Sequence, residues 1–210
     1  MKYDLVLNGA ILVSAANDFV PFVGAVGILN GRIVDVKEGM LPPSTARTWI
    51  DASGHILMPG LFNLHCHGDM TCARGFGDDR TLQEQNERFA DTNWFRELLS
   101  EDDRADARLL TYAESLMAGT TFQMENMYWS LGLRSPGLMK EAGIRGAAAE
   151  DIRPDFRDAD TFQDEESLRA FGVACEANGI LPYIGSISEE DYSPERNARV
   201  QGLLQKLQLR

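Results

Sequence analysis

His65 and His67 are the residues whose type and spacing point most directly to chemistry, within the segment MPGLFNLHCH at 58–67. The segment breaks at Pro59-Gly60, runs on as a short apolar strand and ends on the two histidines. Residues i and i+2 of a strand share a face, roughly 6.6 Å apart along it. Both imidazoles can therefore aim at one point, and imidazole nitrogen is a good ligand for a divalent transition metal. Two imidazoles alone make a weak and unselective site, so such a metal needs further ligands. The third histidine, His55, lies upstream of the Pro-Gly break and reads as a surface or junction residue. Cys66, Cys72 and Cys175 are few, odd in number and without paired spacing, so no disulfide framework is implied.

Something must position these rings. Residues 1–58 read as strands and turns, with Asn8-Gly9 and Asn30-Gly31 between β-rich runs. Asn-Gly favours a tight hairpin because both central residues take positive φ. A small antiparallel β-unit, half of a sandwich, is expected there. After Pro59 the rhythm becomes strand then helix. Leu61–His65 is the first apolar strand. Ser100 and Asp103 make a capping box for a helix with Leu109, Leu110, Ala113, Leu116 and Met117 inward. Strands follow at 120–124, 144–149 and 180–187, alternating with helices opened by Ser135-Pro136, spanning 165–178, and opened by Ser193-Pro194. Alternating β and α elements imply parallel strands covered by helices. The expected fold class is α/β, with about four βα units at 59–210 making a partial (β/α)8 barrel, which needs eight when closed.

Composition narrows the partners. Of 210 residues 44% are apolar and 25% charged, with a net charge of −12. That acidity disfavours nucleic acid and anionic membrane surfaces as partners. Asp4 and Asn8-Gly9 interrupt the only stretch resembling a leader, and no apolar run approaches the roughly 20 residues of a membrane span. A cytoplasmic protein is the expectation.

With Pro59-Gly60-Leu61, Asn63-x-His65-x-His67 and Gly119-Thr120-Thr121 in register with the βα units, the chain resembles the amidohydrolase superfamily. Within it the resemblance is closest to the branch of cytosine-deaminase-like enzymes and triazine hydrolases. Further matches are Met70-Thr71, Arg74-Gly75, Asp78-Asp79, Met127-Tyr128 and Gly143-Ile144-Arg145. The resemblance spans nearly the whole chain but only the N-terminal half of a family member.

The resemblance implies one divalent metal, Zn or Fe, that activates a water to attack an sp² carbon of a small heterocyclic substrate. His65 and His67 match two of its ligands. The family's other ligands and proton-transfer groups sit on its fifth, sixth and eighth strands. The expectation is therefore incomplete ligation and no turnover by this chain alone. Two other readings compete with it: a non-catalytic metal-binding or interaction half-barrel, and one half of a split enzyme. Exposed sheet edges predict self-association. For substrate contact the residues singled out are Trp129, which can stack on a flat ring, Glu97 in a loop reaching the pocket, and Glu150, which would repel an anionic substrate.

Overall fold

The computed structural model describes residues 2–91, 98–126, 131–150, 165–184 and 194–207. Two compact units divide at Gly60 and Leu61.

The first unit is one mixed sheet of five strands: β1 (Tyr3–Leu12), β2 (Phe22–Leu29), β3 (Arg32–Glu38), β4 (Ala46–Asp51) and β5 (Ile56–Leu57). β1, β2 and β3 form an antiparallel meander, whereas β4 and β5 share the other edge of β1 and run parallel to it. The all-antiparallel expectation fails there because Gly39–Thr45 carries the chain back across the sheet before β4 starts.

Asn30-Gly31 makes the expected hairpin, with φ of 51° and 70°. Asn8-Gly9 does not. Asn8 is 1% exposed, its Oδ1 accepts from the Leu41 amide at 2.7 Å, and its Nδ2 lies 3.3 Å from Met40 Sδ. With Asn8 held inside the sheet, Gly9 alone takes positive φ and absorbs a bulge between Asn8 and Ala10.

Asp35 on β3 is the electrostatic centre of this unit. It accepts from the Tyr3 hydroxyl, and Lys2 and Lys37 lie 3.1 and 3.3 Å away. The Tyr3 hydrogen bond, ahead of the two lysines, holds its carboxyl down from 3.8 to about 2. A depressed carboxylate contributes stability that is present above its unfolded pKa and lost as the folded one is passed. Acid melts should therefore steepen between about pH 3.8 and 2, and Asp35→Asn should flatten that window. Equal slopes in the two proteins would refute it.

The second unit is a four-stranded parallel sheet in the order β6 (Leu61–Cys66), β7 (Thr120–Asn126), β8 (Arg145–Glu150) and β9 (Leu181–Ile184). The helices are α1 (Leu82–Asp91), α2 (Glu101–Met117), α3 (Ser135–Ala142), α4 (Glu165–Asn178) and α5 (Pro194–Leu207). The α2 box forms as expected: Ser100 Oγ accepts from the Asp103 amide, and Asp103 Oδ2 accepts from the Ser100 amide. Gly143 closes α3 at φ 76°, its amide reaching the last carbonyls. The core lies between sheet and helices: Ala105 and Tyr112 of α2, Met139 of α3, Ala148 of β8, Phe171 and Cys175 of α4. β8 reads Gly-Ala-Ala-Ala because the helices approach it closely.

Two expectations change here. α1 was not foreseen, although Thr81 and Glu84 cap it reciprocally, with Glu84 Oε2 accepting from the Thr81 amide at 2.8 Å. On α2 the inward face is Ala105, Arg108 and Tyr112, while Leu110 and Met117 are 49% and 89% exposed. Leu109 of the expected stripe does pack against the core, and a buried ionic cluster takes the place of the rest.

Candidate functional site: two histidines at a strand end

β6 does not pair evenly with β7. Asn63 stands opposite Gln123 and Cys66 opposite Glu125, so three steps on β6 meet two on β7. This bulge carries Leu64 and His65 off the regular ladder. The His65 amide bonds instead to Asn63 Oδ1 at 3.2 Å. Asn63 thus supplies locally the acceptor that the bulge removes. His67 follows the strand at φ −116° and ψ 85° and leads into a 3-10 turn, Gly68–Ala73.

The structure brings the two rings together. Their centroids are 4.9 Å apart and their planes perpendicular. His67 Nδ1 lies 2.8 Å from the main-chain carbonyl of Asn126, which only accepts, so that nitrogen carries a proton in the bond. A neutral imidazole protonated on Nδ1 has its lone pair on Nε2, the arrangement in which histidine ligates metals. His65 Nδ1 faces Asn126 Nδ2 at 3.0 Å, and Asn126 Oδ1 accepts from the Tyr183 hydroxyl at 2.6 Å. Burial above all raises the Tyr183 pKa, which keeps it a hydroxyl.

Behind the site lies the ionic cluster. Arg108 donates through Nε to Glu125 at 2.9 Å and through Nη2 to Asp69 at 3.0 Å, with all three side chains fully buried. Tyr112 donates its hydroxyl to Glu125. Burial, more than any neighbour, raises the pKa of Glu125. A Cβ on Gly68 would stand 2.9 Å from Glu125 Oε1, so the turn after His67 is glycine where it passes over the cluster. Cys66 faces this side and accepts from Gln123 Nε2 at 3.2 Å. Burial, with Glu125 and Asp69, pushes its thiol up to about 12, so it stays protonated and is a poor ligand.

Of the other residues singled out from sequence, Glu150 ends β8, on the strand-end side of the sheet where Asn126 ends β7. Trp129, Glu97 and Met127-Tyr128 lie outside the described residues. Arg74 forms a two-pronged pair with Glu114 at 3.1 and 2.7 Å. His55 lies in the first unit, exposed, with Nδ1 3.2 Å from the Ser53 carbonyl. Among the described residues no group of three or more His, Cys, Asp or Glu side chains is placed to hold a metal. None of their helices is long and apolar enough to cross a membrane.

Sequence reasoning missed Asn126 and Tyr183. Asn126 lies two residues beyond the run read as strand, 120–124, and Tyr183 inside the run read as strand at 180–187. The available signal was a hydroxyl-bearing ring at the carboxyl end of a parallel strand, where such folds place their ligands.

Two imidazoles gathered at the carboxyl ends of parallel strands, with helices packed on the sheet, make this an α/β protein with a candidate site at its strand ends. No family model matches the chain. A 5-methylthioadenosine/S-adenosylhomocysteine deaminase of Acetivibrio thermocellus is 33% identical over 169 residues, covering 80% of this chain and 37% of that protein. The chain belongs to the amidohydrolase superfamily, of which it matches the N-terminal part. A 5'-deoxyadenosine deaminase of Methanosarcina mazei is 32% identical over 130 residues, 61% of this chain and 28% of its own. Among solved structures, a zinc-bound adenosine deaminase from Xanthomonas campestris is 26% identical with a TM-score of 0.70, over 99% of this chain and 48% of that one. A triazine hydrolase variant superposes with a TM-score of 0.77 at 18% identity, over 98% and 51%, which is a likeness of fold. The chain thus spans about a third of the curated relatives' length and about half of the solved ones.

Proposed function

We propose that this chain is the N-terminal portion of a metal-dependent deaminase that hydrolyses the exocyclic amino group of a heterocyclic base or nucleoside. The observation that carries the reading is the His65–His67 pair, with the Asn126 carbonyl fixing one ring and the Asn126 carboxamide bracing the other. The donor set fits a borderline-soft divalent cation such as Zn or Fe in its ligand type, and supplies only part of the ligand number. His65 and His67 would hold such a cation, which would supply a bound water of near-neutral pKa as nucleophile. The histidines hold and orient; Trp129, Glu97 and Glu150 remain the residues proposed to meet the substrate.

The four βα units are read as the first half of a (β/α)8 barrel. Leu61, Phe62 and Leu64 of β6 are 50%, 65% and 63% exposed. Parallel strands are normally covered on both faces. The same surface gives the chain, taken alone, a means of self-association.

The test is a zinc titration of the full chain by calorimetry, with an assay for ammonia release from 5'-deoxyadenosine. The expected result is weak binding, lost in His67→Ala, and no ammonia above background. An isotherm unchanged by His67→Ala would overturn the metal site. A stoichiometric site of nanomolar affinity, or turnover abolished by His65→Ala, would overturn the incomplete ligand set.

A further inference from the structure

Three bonds converge on one residue that no motif announces. The Asn126 carbonyl takes the Nδ1 proton of His67 at 2.8 Å, its carboxamide nitrogen faces His65 Nδ1 at 3.0 Å, and its carboxamide oxygen accepts from Tyr183 at 2.6 Å. We propose that Asn126 is the positioning residue of the pair: its main chain holds His67 in the metal-ready tautomer, and its carboxamide switches His65 into that tautomer by turning over. The inference rests on the reading that the pair takes a divalent cation.

The argument is a matter of donors and acceptors. With the amide nitrogen toward His65, Nδ1 accepts, and the neutral ring carries its proton on Nε2. In that state the outer nitrogen has no lone pair to offer. With the amide oxygen toward the ring, Nδ1 is the donor and the lone pair moves to Nε2. Half a turn of the carboxamide separates the two. Tyr183 permits the turn without losing a bond, because its hydroxyl donates to Oδ1 in one state and accepts from Nδ2 in the other. A leucine or phenylalanine at 183 would do neither. His67 has no such freedom, since a main-chain carbonyl can only accept. One side chain thus gives the pair a fixed member and an adjustable one.

The experiment reads the tautomers directly. Long-range nitrogen–proton NMR spectra of the histidine rings are recorded on the full chain in their neutral form, with and without zinc. Wild type, Asn126→Ala and Asn126→Asp are compared, and backbone amide spectra confirm the fold of each. Without metal, wild type should show His67 protonated on Nδ1 and His65 on Nε2. Zinc should move the His65 proton to Nδ1. Asn126→Ala keeps its main-chain carbonyl, so His67 should be unchanged while His65 becomes a mixture, and zinc affinity should fall about 10- to 100-fold. Asn126→Asp presents only acceptors, so His65 should be protonated on Nδ1 even without metal.

A His65 tautomer that is the same in all three proteins would overturn the proposal. So would a His67 tautomer that follows the side chain at 126. If the tautomers follow the variants but wild type takes up no zinc at all, the positioning role stands. The reading of the pair as a metal site then fails separately.

Discussion

Arg108→Met should cost about 3–5 kcal/mol at neutral pH, the usual penalty for removing one partner of a buried ionic group. Nothing about Arg108 looks structural in sequence, yet its guanidinium is bonded to both Asp69 and Glu125, with all three side chains buried. Methionine fills the space and leaves two carboxylates without it. Each would then ionise less readily folded than unfolded. A group whose folded pKa is raised gives stability at low pH that is lost as pH rises through that value. The deficit should therefore shrink as pH falls from neutrality toward the carboxylate range, opposite in sign to the Asp35 effect. Urea unfolding followed by far-UV circular dichroism measures both. A loss under about 1 kcal/mol, the scale of an exposed ion pair, would refute the cluster. Adding Asp69→Asn and Glu125→Gln to Arg108→Met should recover most of the loss, because a neutral interior tolerates what a charged one does not.

The second large effect comes from a single methyl group. Gly146→Ala would place Cβ 2.0 Å from the Gln123 carbonyl oxygen and 2.4 Å from Met139 Cε. Met139 can bend away, but the carbonyl belongs to the neighbouring strand and cannot. β7 and β8 must part, and the cost should exceed the roughly 1–3 kcal/mol of ordinary overpacking. The displacement reaches the site, because Gln123 holds Cys66 and lies three residues before Asn126 on the same strand. Gly137→Ala on α3 is the control: nothing lies within 4 Å of its Cβ. It should be neutral or stabilise by up to about 1 kcal/mol. Thermal melts of the two variants decide the matter. A Gly146→Ala protein melting with wild type would show that the strands have room.

How much of this was legible in the sequence depends on which force decided each element. Capping is local, and the Ser100 box reads correctly from residue type. The strands of the parallel sheet were equally plain, since apolar runs between helices have few other destinations. Tertiary contacts override such signals. Asn8-Gly9 carries the same dipeptide as the real hairpin at Asn30-Gly31, but Asn8 is bonded to a segment more than thirty residues on. On α2 the leucines at 110 and 116 have the helical period, yet the helix turns its Arg108 face inward because Asp69 and Glu125 wait there. Arginine is so seldom buried that periodicity alone cannot propose it. At the site the two ligand-type residues were visible from spacing, and the residue that braces them was not. Asparagine at a strand end has no pattern until a second strand supplies Tyr183.

The bulge on β6 has a consequence for length. Loops of this chain can gain or lose a residue at little cost, because nothing downstream of them is counted. Between Asn63 and Cys66 the count is fixed from both sides, by Gln123 and by Glu125. Losing one residue there would zip β6 back into step with β7. The strand would gain a rung, and the His65 amide would return to the ladder and leave Asn63 Oδ1, while alternation would keep His65 on the side of His67. The one-residue irregularity at this end of the molecule thus sets the partner of the His65 backbone, while the alternation of the strand keeps the two rings together.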